Sequence, residues 1–165
     1  MNVNYINPFI NSLLNVLETM ATMAPQAGTP YLKPTKFSEG SVTGFICMTG
    51  ESVECTMAIS FTREAMLGIA SKMLGEEITE LDDEITNLAG EITNMVTGGA
   101  KKELWQEGFN FDMTQPEFHL DDFFEPEHIK GGKVLVIPFE SAEGSFTLEV
   151  CMRDTRKKAE LSYAK

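Results

Sequence analysis

Little in this sequence suits a membrane, a polyanion or a metal. No apolar run approaches the ~20 residues that a bilayer-spanning helix needs. The N-terminus, MNVNYINPFI, lacks a basic stretch followed by a long apolar one, so no secretory leader is expected. Positive charge is scarce: 13 Lys and Arg face 25 Asp and Glu, a formal net charge of −12. Such a surface repels phosphate polymers and anionic headgroups, which makes nucleic acid and membranes poor partners. The three cysteines, Cys47, Cys55 and Cys151, are odd in number and widely spaced, which argues against a disulfide framework. Each lies in an apolar, strand-like stretch, where a buried free thiol is expected. These features place the chain in the cytoplasm. His119 and His128 are the two histidines and have no HxxH or CxxC partner spacing, so no metal site is expected. There is no Walker A motif and no arguable Ser/His/Asp arrangement.

What is present is ordinary globular composition, 42% hydrophobic and 23% charged over 165 residues. That is enough for a single domain, 1–165, with one sizeable core. Residues 5–24 predict a helix, with Ile6, Phe9, Ile10, Leu13, Leu14, Val16, Leu17 and Met20 at three- and four-residue spacings and Asn7-Pro8 as cap and first turn. APQAGTP, 24–30, reads as a turn. From 31 to 61 the period changes, and KFSEGSVTGFICMTG and ESVECTMAISF predict two strands joined around Gly50. A second helix follows, with Thr62 as N-cap and Gly75 as stop. The segment 80–107 predicts the longest helix, acidic at its start and lysine-bearing in its later turns, ended by Gly108. After it come a strand with an irregular section (109–120), a loop (121–132), and a closing hairpin around Glu143-Gly144. The polar tail from 154 reads as a frayed end. This order, with its hairpin connections, predicts an α+β fold: an antiparallel sheet with helices packed on one face.

The long helix repeats the tetrapeptide EITN, at 84–87 and 91–94. At about 100° per residue, Leu81, Ile85, Leu88, Ala89, Ile92, Met95, Val96 and Gly99 fall on one core-facing arc. Glu84, Asn87, Glu91, Asn94 and Gly98 fall within a second, polar arc of roughly 80°. A solvated face is the ordinary meaning of such an arc. Against it, Asn costs about 0.5 kcal/mol relative to Ala inside a helix, and it occurs twice in register. Gly98-Gly99 costs about 1 kcal/mol per residue. Packing against the sheet would account for Gly99; at Gly98 the missing side chain would let another backbone approach. A carboxylate and a carboxamide three residues apart are helix neighbours. The first can grip a lysine of a docking protein, and the second can both donate and accept, so it can hold a water in one orientation. The carboxamide cannot act as a strong general base, so the pair suits a labile bond whose hydrolysis needs positioning and charge neutralisation.

At these residues the sequence resembles a known family. AGEITNMVTGGAKKEL, 89–104, is similar to the signature helix of the CheC, CheX and FliY chemotaxis phosphatases, and to that of CheX in particular. Glu91 and Asn94 match the central pair of the signature, Met95, Gly98 and Gly99 its surroundings, and Pro116 lies near its later proline. Asn87 stands where the signature has an acidic residue or serine. The resemblance implies a CheX/CheC-like fold and a phosphatase (a hydrolase) acting on the aspartyl phosphate of a CheY-like response regulator. In that reading Glu91 contacts the regulator's active-site lysine and Asn94 orients the water. Glu84, Asn87 and Gly98 are partner-contact candidates, the Glu84-Asn87 copy being either a second docking contact or plain helix surface. No cofactor is implied on this chain; Mg2+ is expected on the receiver. The first helix offers Asn11, Asn15 and Glu18, not the Glu-x-x-Asn order, which implies one site per subunit. A homodimer is implied, with sheet edges as candidate contacts. The alternatives are a non-catalytic module that docks on or sequesters a phosphorylated receiver, and a structural homodimer with no receiver partner.

Overall fold

The computed structural model describes residues 3–155. A 3-10 turn, Val3–Tyr5, leads into helix α1, Asn7–Ala21. Phe9, Leu13, Val16, Leu17 and Ala21 are buried along one of its faces, as their spacing requires. The expected cap at Asn7 is not formed. Ile6 holds the cap position with angles that are already helical, and its carbonyl accepts from the amides of Phe9 and Ile10. The preceding turn delivers the chain in helical conformation, so no extended residue is left to cap. The helix also ends earlier than expected: Thr22 turns left-handed at φ 52°, its amide bonded back to Glu18.

The remaining elements are strands β1 (Gln26–Ala27), β2 (Tyr31–Leu32), β3 (Val42–Thr49) and β4 (Val53–Phe61), helices α2 (Arg63–Leu74) and α3 (Asp83–Gln106), and strands β5 (Asp112–Met113), β6 (Glu117–Leu120), β7 (Leu135–Ser141) and β8 (Gly144–Asp154). They form one antiparallel sheet in the order β1-β7-β8-β4-β3-β5, with β2 also on β7 and β6 also on β3. The 24–30 segment is therefore more than a turn, since β1 pairs with β7. The stretch before Val42 is irregular rather than strand. Between β3 and β4 the chain reverses at Gly50, where a Cβ would lie 2.1 Å from the Asn110 carbonyl oxygen, so only glycine fits. Thr62 caps α2 by accepting from the Ala65 amide, and Gly75 ends it at φ 69°, both as expected. The tail reading falls almost wholly on 156–165, outside the described residues.

All three helices lie on one face. Phe9 and Leu13 of α1, Met66 and Ile69 of α2, and Ile92 and Val96 of α3 share one apolar cluster with Ile46, Met57, Ile59, Leu148 and Val150 of the strands. The second face is not left to solvent. Strand alternation turns Thr147, Glu149 and Cys151 to that side, yet all three are buried. Residues from the 121–134 loop and from the stretch after β2 cover them. The Lys33 ammonium lies 2.5 and 2.6 Å from the two Glu149 oxygens. His128 Nε2 lies 2.9 Å from the same carboxylate, and its Nδ1 lies 2.8 Å from the Thr56 hydroxyl. The cysteines are free thiols. Cys55 and Cys151 are buried as expected, while Cys47 is only half-buried, because its side of β3 meets the edge of the loop cover. Burial pushes the Cys55 thiol well above its ordinary pKa, and burial first, then Glu117 and Glu127, raises that of Cys47; unreactive thiols follow. Among the described residues no helix is long and apolar enough to cross a membrane.

Candidate functional site on helix α3

Helix α3 starts where a side chain caps it: the Asp82 carboxylate accepts from the Ile85 amide at 2.9 Å, and Asp83 and Glu84 occupy the first turn. Its inner face carries Ile85, Leu88, Ala89, Ile92, Val96, Ala100 and Leu104, all buried. Leu81 and Met95, expected in the core, are half-buried at its margin. Thr86, Thr93 and Thr97 are buried instead. The apolar pattern did not point to them, because a buried hydroxyl needs a partner. Each finds one within the helix, donating to the carbonyl four residues earlier at 2.7 to 2.8 Å.

Two glycines set the pose of α3. On β3, a Cβ at Gly44 would lie 1.9 Å from Thr93 Oγ1 and 2.9 Å from the Ala89 carbonyl oxygen. The strand thus admits the helix backbone closely and fixes its rotation. Gly99 does not pack against the sheet as expected. A Cβ there would lie 2.3 Å from Ser12 Oγ of α1, and Ser12 donates to the Val96 carbonyl at 2.7 Å. It is α1, therefore, that needs Gly99 small.

With sheet and α1 holding its inner sides, α3 turns the polar arc outward. Glu84, Asn87, Glu91, Asn94 and Gly98 are all exposed. Neither Glu91 nor Asn94 forms a side-chain hydrogen bond or ion pair with any described residue. The pair is thus displayed on a helix that is itself rigidly seated, with donors and acceptors free to meet an incoming molecule. Nothing lies within 4 Å of a Cβ placed on Gly98. Gly98→Ala should therefore stabilise the protein by about 1 kcal/mol, read as a raised urea midpoint at unchanged slope. A loss of stability would show that the chain itself requires this glycine.

Comparison with known proteins bears on what such a display is for. Residues 42–140 match the model of the chemotaxis phosphatase CheX. The chain belongs to the CheX family of chemotaxis phosphatases. A CheC-like superfamily protein from Shewanella sp. PV-4 is similar at 42% identity, covering 93% of this chain and 99% of that one, with a TM-score of 0.86. The chemotaxis protein CheX from Vibrio vulnificus is 39% identical over 91% and 99% of the two chains, TM-score 0.84. CheX in a CheX–CheY–BeF3–Mg2+ complex from Borrelia burgdorferi is 29% identical over 93% and 100%, TM-score 0.74. No curated protein matches. The antiparallel sheet with three helices is the CheX fold, as the resemblance implied.

In this CheX-family chain, Pro116 is half-buried and immediately precedes β6, the strand that runs beside α3 on the β3 edge. A proline suits that place, since its missing amide spoils no ladder bond. On α1, Asn11, Asn15 and Glu18 are exposed, and the Asn11 amide reaches Glu103 of α3 at 3.4 Å. His119 stacks on Phe124 with centroids 3.9 Å apart, and its Nε2 lies 3.2 Å from Glu117. Among the described residues no group of three or more His, Cys, Asp and Glu is arranged to hold a metal. The reading from sequence passed over Trp105. It is 62% exposed near the end of α3, and the signal was available: it lies seven residues beyond Gly98, in the same register.

Proposed function

We propose that this protein hydrolyses the aspartyl phosphate of a CheY-type response regulator, with Asn94 orienting the attacking water and Glu91 engaging the regulator. What supports the reading most is that this carboxylate and carboxamide stand exposed, adjacent and unpartnered on the α3 of a CheX-family fold. At i and i+3 their Cβ atoms lie about 5–6 Å apart, so both can enter one partner cleft. The carboxamide oxygen accepts one water proton and turns the water's lone pair toward phosphorus. As the new O–P bond forms, the acyl O–P bond breaks. The aspartate carboxylate leaves with the bonding electrons, and the water's proton passes to inorganic phosphate. An acyl phosphate already has a good leaving group, so positioning in line supplies most of what is missing. We assign magnesium to the receiver, in keeping with the Borrelia complex, in which CheX and CheY occur together with Mg2+.

The reading is tested by following acyl-phosphate decay on a receiver in large excess over this protein. Catalysis gives many turnovers and a rate linear in enzyme. A sequestering module gives a stoichiometric effect, or even protects the phosphate. Glu91→Ala should raise KM as well as lower kcat, with kcat/KM down roughly 30-fold for loss of about 2 kcal/mol of charged contact. An unchanged KM would remove Glu91 from the docking surface.

The homodimer implied by the family we place at the β6 edge of the sheet, where Phe118, Leu120 and Phe123 are exposed. Light scattering of the Phe123→Asp variant against wild type tests that placement, and equal masses would refute it.

A further inference from the structure

The exposed arc of α3 does not end at Gly98. At about 100° per residue, Lys102 and Trp105 fall inside the same arc as Glu84, Asn87, Glu91, Asn94 and Gly98, and Lys101 lies at its margin. Gly98, Lys101, Lys102, Trp105 and Gln106 line a shallow depression of about 420 Å³. Trp105 leaves most of its indole uncovered at 62% exposed, beside two lysines on a chain of net charge −12 where positive charge is scarce. We propose that Trp105, with Lys101 and Lys102, is a second anchor for the phosphorylated receiver, taking an apolar patch flanked by acidic side chains. This rests on the receiver-phosphatase reading of Glu91 and Asn94 and says how the partner is held while they act.

Length, charge and continuity favour the receiver as occupant. From Glu84 to Trp105 the arc runs about 30 Å, the width of a small domain. Glu91 and Asn94 form a small polar contact, whereas a specific interface needs about 800 Å² per partner and a well-packed centre. Trp105 alone can bury 150–250 Å², roughly a quarter of that. The arc is also polarised, acidic over 84–91 and basic at 101–102. A partner that offers a lysine to Glu91 therefore needs negative charge about 15 Å further along to match Lys101 and Lys102. A second copy of this chain, run antiparallel, would satisfy the same polarity. It would also cover Glu91 and Asn94, which the receiver must reach.

Trp105 is the single tryptophan of the chain, so protein labelled with 5-fluorotryptophan gives one fluorine resonance that reports on this anchor alone. Beryllofluoride stands in for the phosphoryl group of the receiver. Adding unlabelled receiver, activated with beryllofluoride and Mg2+, should shift or broaden that resonance. Trp105→Ala should raise KM for the phosphorylated receiver about 30-fold, as a truncated hot spot does, with kcat little changed. Lys101→Glu with Lys102→Glu should weaken binding at low salt and flatten its salt dependence. An unmoved resonance, or a KM for Trp105→Ala equal to wild type, overturns the anchor even if the wild type accelerates decay. A resonance that moves with the protein's own concentration, receiver absent, assigns the patch to a second copy and likewise overturns it. A resonance that moves with receiver while decay is not accelerated supports the anchor and refutes the phosphatase reading.

Discussion

Asn94→Ala is expected to lower kcat for receiver dephosphorylation by about 10²–10³-fold, the effect of deleting one positioned polar group aimed at the reacting centre, some 2.7–4 kcal/mol. The same change is expected to make the protein slightly more stable. Asn94 is exposed and its side chain bonds to no described residue, so nothing in the fold is lost with it. Alanine is the better helix former by about 0.5 kcal/mol. Opposite signs on activity and stability separate this residue from a structural one, whose loss would lower both. They also fit the presence of two asparagines and an open Gly98 on a helix that local propensity would rather fill with Ala, Glu or Lys. Asn94→Asp tests the chemistry more finely. It keeps the shape and an acceptor but removes the donor and brings negative charge toward the phosphoryl oxygens, so it should be no better than alanine. The measurement is multiple-turnover decay of phosphorylated receiver with each variant, alongside urea unfolding. A wild-type rate for Asn94→Ala would end the proposed mechanism.

The polar arc was legible in the sequence because it depends only on local geometry. Once α3 is a helix, its period fixes which residues share a face, and burial of Ile85, Ala89, Ile92 and Val96 decides that Glu91 and Asn94 face outward. Thr62, Gly75 and the Gly50 reversal were legible for the same reason, each being set by its immediate neighbours. What the sequence concealed is non-local. Strands β1, β2 and β5 have two residues each, too short for a period, and exist only because a distant strand offers them partners. Asn7 looked like a cap because Asn-Pro usually opens a helix, but the 3-10 turn before it had already fixed the chain. Gly99 looked like a sheet contact, but the rotation set by Gly44 against Thr93 turns it toward Ser12 of α1. The buried threonines of α3 hid behind their polarity, which the helix satisfies internally.

The least legible feature carries the largest expected effect on stability. Glu149 follows Leu148 and precedes Val150 in β8, and both neighbours face the helix-side core. Alternation alone would send Glu149 to solvent. It is instead fully buried, tied to Lys33, 116 residues earlier, and to His128. The side chains of Lys33 and His128 are themselves only 6% and 7% exposed. Glu149→Met would strand the Lys33 ammonium without a counter-charge and leave His128 Nε2 without its acceptor. Removing one member of such a pair costs about 3–5 kcal/mol, roughly a fifth or more of the 5–15 kcal/mol that holds a typical domain together. Lys33→Met should be comparably damaging, because it strands the carboxylate. The double replacement Lys33→Met with Glu149→Met should recover the share of the loss that comes from the stranded charge, since two apolar chains of similar volume leave neither partner of the ion pair to desolvate, while His128 Nε2, still without its acceptor, keeps its own cost. The pair lies on the sheet face opposite α3, so kcat of the folded fraction at low temperature should stay near wild type in all three. Urea unfolding of the four proteins closes the cycle. Additive losses in the double variant would mean that the two side chains do not depend on each other, and that the loops over this face are held by their apolar contacts instead.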